Sequence, residues 1–116
     1  MSIPVRRLSR QWGLSDLEEM RLVELKTNYP KTTSAMLEAD ELRGYLASWR
    51  QSAEAYLASL MDPNNPASAW RAVGATRELR ETDPERWTRR SKMVEPTARD
   101  MMIREMVLAP LPGAQD

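Results

Sequence analysis

Between Leu42 and Leu60 the chain places Leu42, Tyr45, Leu46, Trp49, Ala53, Tyr56, Leu57 and Leu60 at the i, i+3, i+4, i+7 spacing. At about 100° per residue these eight side chains fall within an arc of about 120°, one face of an α-helix and not of a strand, whose period is two. The helix is expected to begin between Ser34 and Asp40, with Asp40 as a cap for Glu41 onward, and to stop near Met61 at Asp62-Pro63-Asn64-Asn65-Pro66. The remaining chain must therefore supply helices that cover one long apolar stripe. The opposite face, with Gly44, Ala47, Ser48, Gln51, Ala55 and Ala58, is mostly small and suits close approach of another helix.

The rest of the 116 residues agrees, because Gly is scarce at four while Ala, Leu, Glu, Arg and Met are plentiful. Ser15 and Glu18 have the spacing of a capping box and open a helix that ends near Asn28, ahead of Tyr29-Pro30. Its apolar residues lie on two sides, Leu17, Met20 and Val23 on one and Leu22 and Leu25 on another, which calls for two neighbours. Asn65-Pro66 is expected to start a third helix reaching about Glu81, Asp83-Pro84 a fourth, and Pro96-Thr97 a fifth from Ala98 to about Leu108. The third and fourth are expected to form an angled corner. The expected fold is all-α: a small bundle of about five helices with a long central amphipathic helix and a flexible C-terminal tail from Ala109. A 13.3 kDa chain exposes about 6,500 Å² folded against about 19,000 Å² unfolded, so one domain is expected and two are not. The expected organisation is a basic flexible arm over 1–14, a helical core over 15–95, and a Met-rich helix with a Pro-containing tail over 96–116 as a docking segment.

With no Cys and no His, the chain lacks disulfides, thiolate nucleophiles, imidazole acid/base groups and the common zinc ligands. The carboxylate neighbours Glu18-Glu19 and Asp40-Glu41 sit near helix starts, where they complement the dipole, and the four glycines are isolated and form no phosphate loop. An enzyme is thus the least expected class, and no cofactor or metal is implied. No apolar run reaches the 18 residues of a membrane span, mean hydropathy is −0.61, and no secretory signal follows the N-terminal arginines. A cytoplasmic protein is expected, in the producing cell or in a host, with no membrane partner.

Net charge is zero, yet it is unevenly spread: +3 over 1–14, −4 over 15–62, +2 over 63–95 and −1 over 96–116. Within the basic stretch, Arg86, Arg89, Arg90 and Lys92 surround Trp87, and Arg77 and Arg80 precede them. Guanidinium groups grip phosphates through a planar fork and stack on aromatic or base faces, so these six residues are the candidate nucleic-acid contacts. The competing reading pairs Arg86, Arg89 and Arg90 with Glu78, Glu81 and Glu85 as an ordinary solvated face. The apolar residues of the fifth helix, including Met101, Met102, Ile103, Met106 and Leu108, point in nearly every direction, which suits either a central core helix or a flexible surface for a protein partner.

Tyr45-Leu46-Ala47-Ser48-Trp49, then Asn65-Pro66, then Pro96-Thr97-Ala98-Arg99 occur in an order that resembles a bacteriophage small terminase subunit of the type without an obvious DNA-binding signature. The resemblance spans residues 40–103, and Val94-Glu95 stands where that pattern has Gly-Leu. It implies a ring-forming homo-oligomer without catalytic residues that recognises viral DNA and hands it to a large, ATP-hydrolysing packaging subunit. The alternative is a small interaction module, such as a phage-encoded inhibitor or adaptor, that binds a host or virion protein through the Met-rich helix and the acidic body.

Overall fold

A computed structural model describes residues 3–114 and 116, and every regular element among them is helical. In chain order these are α1 (Val5–Trp12), α2 (Asp16–Asn28), α3 (Pro30–Glu38), α4 (Leu42–Met61), α5 (Ala69–Ala72), α6 (Arg77–Thr82), α7 (Pro84–Ser91) and α8 (Val94–Met102), followed by a π-helical turn, Ile103–Val107. The five expected helices correspond to α2, α4, α5 with α6, α7 and α8. Of the additions, α1 comes from the segment expected to be an arm, and α3 is a separate helix where the long helix was expected to begin between Ser34 and Asp40.

One type of stop recurs. Gly13, Asp40 and Gly74 each take a left-handed conformation, with φ of 63°, 59° and 74°. The next amide bonds back five residues: Leu14 to Ser9 O, Glu41 to Met36 O and Ala75 to Trp70 O. That is the Schellman closure. Asp40 therefore ends α3 rather than capping α4, a role open to Asp because its short polar side chain tolerates φ > 0. Pro30, expected to sit outside any helix, is the first residue of α3, where its missing amide costs nothing. The capping box at Ser15 and Glu18 forms as expected, with both reciprocal bonds present. Asn65 does not cap the next helix: its side chain closes a turn on the Ala67 amide (3.0 Å), and the buried Ser68 caps α5 instead.

The chain divides into two compact units, residues 1–52 with 106–116 and residues 53–105. Neither division falls at the 14/15 or 95/96 boundary expected from the sequence. The α4 stripe is long enough to feed two cores: Leu42, Leu46 and Trp49 are buried in the first unit, Ala53 and Leu60 in the second. In the first unit Leu8, Leu22, Leu25, Leu42, Leu46 and Leu111 form one cluster. The basic N-terminal segment is thus not a free arm, since α1 buries Leu8 while exposing Arg6, Arg7 and Arg10. The C-terminal tail likewise docks through Leu111, which is only 6% exposed. Of the two apolar sides of α2, Leu22 and Leu25 are fully covered, whereas Met20 and Val23 remain 40% and 48% exposed.

Arg21 is the unexpected core residue of this unit, 1% exposed. It donates from Nη1 to the carbonyls of Val107 (2.9 Å) and Ala109 (2.6 Å) and from Nη2 to the Tyr45 hydroxyl (2.8 Å). Its guanidinium also lies 5.9 Å from the Tyr45 ring centroid and 5.7 Å from that of Trp49. Trp49 Nε1 donates to the Met106 carbonyl (3.2 Å). Side-chain donors thus hold the carbonyls at the end of the π turn, where helical bonding stops.

The Asp116 carboxylate accepts from the Thr32 hydroxyl (2.7 Å) and from the Thr32 amide (3.1 Å) in the first turn of α3. The Thr32 hydroxyl chiefly, with backbone amides adding to it, holds the Asp116 pKa below its ordinary 3.8. A depressed folded-state value means the contact is fully present above the unfolded carboxylate range and is lost as pH falls through the folded one. The Thr32 amide resonance is expected to titrate with a midpoint below 3.8 and to stop titrating there in Asp116→Asn.

Candidate nucleic-acid interface

Three short helices of the second unit position the basic cluster, and each is set by a local cap. Ser68 accepts from the Arg71 amide, Thr76 from Leu79 and Asp83 from Arg86, opening α5, α6 and α7 in turn. Asp83 also closes α6 by donating its own amide to Leu79 O (2.7 Å), so α6 and α7 share a single-residue joint. Beneath them Ala69, Ala75, Val94, Ala98 and Met102 are buried. The small side chains at three of these positions let the helices approach one another closely.

Trp70 on α5 and Trp87 on α7 come together as a stacked pair, ring centroids 6.1 Å apart and 18° from parallel. Trp70 Nε1 donates to the Met61 carbonyl (2.8 Å), and the Arg80 guanidinium lies 5.0 Å from the Trp87 centroid. The pair is fixed from both sides. Such stacking and cation–π contacts contribute roughly 0.5–1.5 kcal/mol each beyond burial.

The six candidate cations meet different fates. Arg77 pairs with Glu81 at 3.5 Å, and both side chains are well exposed. Arg80 is engaged with Trp87, and Arg90 is half-buried with its guanidinium against Gly74. Arg86, Arg89 and Lys92 are exposed and make no ion pair among the described residues. Glu85 points about 100° away from Arg86 on the helix and lies one turn from Arg89, with which it forms no ion pair among the described residues. The contrast with α8 is direct. There Arg99 pairs with Glu95 at 3.3 Å, and Asp100 pairs with Arg104 of the π turn that follows. Both helices are exposed and charged, but only α7 leaves its cations unpaired.

Arg90 differs from its exposed neighbours, since its guanidinium packs against Gly74. The backbone here favours glycine because φ is +74°, and an added Cβ would meet only the tip of the Arg90 guanidinium. Gly74→Ala is expected to cost about 1–2 kcal/mol, mostly from the left-handed backbone, because the Arg90 tip can swing aside. A thermal melt measures this, and Gly74→Asn should recover part of the loss.

Arg71 enters the site although sequence pattern did not single it out. It lines an open cleft of about 790 Å³ with Trp70, Arg77, Glu78, Arg80 and Trp87. Its position directly after Trp70 was the available signal.

The docking residues do not share one unit. Met101, Met102 and Ile103 belong to the second and Met106 and Leu108 to the first. Met102 is buried at 3% and serves the core, while Met101, Ile103 and Met106 are half-buried. Leu108 alone of the five is exposed, at 52%.

Among the described residues no group of three or more Asp or Glu side chains converges as a metal site would require, and no helix is long and apolar enough to cross a membrane. No family model matches the chain, and neither a curated protein nor a solved structure matches it.

Proposed function

We propose that the chain is a non-enzymatic, oligomeric DNA-packaging component of the small-terminase kind, working in the cytoplasm of the producing cell and passing DNA to a large packaging subunit. The observation that carries the reading is the unpaired cation face of α7, Arg86 and Arg89 with Lys92 beyond, set beside the Trp70–Trp87 pair. Exposed arginines without carboxylate partners retain full charge for phosphate oxygens and need no ion pair broken on binding. Self-association is supported by Met20 and Val23, one turn apart on α2 and left uncovered, and by the exposed small-residue face of α4. Leu108 is the remaining candidate for the partner surface.

A salt titration tests the DNA part. Contacts to four or five phosphates give log affinity against log salt a slope of roughly −4. A flat response overturns it. Light scattering on a sizing column tests the assembly: a closed ring of several copies is expected, and a monomer contradicts it.

A further inference from the structure

The α7 cations face phosphates from outside, but the cleft beside them has a different character. Trp70 and Trp87 both line it, with Arg71, Arg77, Arg80 and Glu78 around them. Its volume of about 790 Å³ lies within the span of pockets that take nucleotide-sized ligands. A duplex keeps its bases stacked inside and presents phosphates, so half-buried indoles add little to its binding. They add much to an unstacked base, whose face lies on an aromatic ring while its flanking phosphates meet arginine.

We propose that this cleft binds single-stranded nucleic acid, with a base against the Trp70–Trp87 pair and adjoining phosphates on Arg71 and Arg77. The inference rests on the nucleic-acid reading above and names its substrate as an unpaired strand. The rings are set before the ligand arrives, by their mutual stack, by the Met61 carbonyl on Trp70 and by Arg80 on Trp87, so little order is lost on binding. Arg71 makes no ion pair among the described residues, and Arg77 releases only an exposed one. Glu78 would repel a phosphate placed beside it. It is suited instead to accept from a base N–H, which orients the base inward and the backbone toward the arginines.

The test uses the full chain and three fluorescent probes of about twelve residues at one salt concentration. They are a single strand, the corresponding duplex, and a strand whose bases are all replaced by abasic residues. The single strand is expected to bind about tenfold or more tightly than the abasic strand and more tightly than the duplex, since each stacked base contributes on that order. Arg71→Ala is expected to weaken single-strand binding about tenfold at an unchanged melting midpoint. Equal binding of the abasic strand, duplex binding as tight as the single strand's, or an unaffected Arg71→Ala overturns the cleft assignment while the α7 interface stands. No binding of any probe overturns both.

Discussion

Arg21→Ala is expected to lower the unfolding free energy by about 3–5 kcal/mol, the largest single loss anticipated among polar positions. The side chain is 1% exposed, and its acceptors are the Val107 and Ala109 carbonyls and the Tyr45 hydroxyl. Truncation orphans two buried or half-buried carbonyls at roughly 1–3 kcal/mol each and leaves a guanidinium-sized void. Two further variants separate the causes. Arg21→Met fills much of the void without donors, and it should remain nearly as unstable as Ala if the carbonyls dominate. Arg21→Lys supplies donors at one point rather than as a fork, and should recover about half of the loss. A urea titration gives the stability, and amide exchange over residues 106–111 should accelerate before the rest of the chain. If Arg21→Met proves as stable as the parent, desolvation of the guanidinium offsets its hydrogen bonds, as happens for some buried ionic groups.

Arg21 also marks where sequence legibility ends. It precedes Leu22 on α2, and every local rule assigns a helical Arg to solvent. Its partners lie 24, 86 and 88 residues away, and no periodicity connects them. The same limit hid the Gly74–Arg90 approach and the pairing of Trp70 with Trp87, which depend on how α5, α6 and α7 fold back. Features set by spacing within a single element or by overall composition were legible: the α4 stripe, the Ser15 capping box, the Asp83-Pro84 start and the all-helical class. The π turn was not, because Met101 to Leu108 continues a helix-forming sequence, and side chains from α2 and α4 take its last carbonyls. Two cores in place of one follow from α4 itself. Its stripe is continuous in sequence, and nothing in the spacing tells that Trp49 and Ala53 serve different units.

Reversing two charges on α7, Arg86→Glu with Arg89→Glu, is expected to reduce DNA affinity about 100-fold near 0.1 M salt and the salt slope from about −4 to about −2. Each lost phosphate contact removes roughly 0.9 from the slope, and the new carboxylates repel the same oxygens. Stability should stay within about 0.5 kcal/mol, because both residues are exposed and form no ion pair among the described residues. The informative comparison is Arg99→Glu on α8 with Arg104→Glu in the π turn that follows, which changes net charge by the same amount. Those arginines already pair with Glu95 and Asp100, so the reversal trades attraction for local repulsion, weakening α8 slightly while leaving DNA binding within about threefold. If both double variants lose affinity equally, binding responds to the summed field of the chain and not to the α7 face. If only the α7 variant does, a chain of zero net charge binds DNA through a local patch, and the partnering of each cation, not its count, decides which helix takes part.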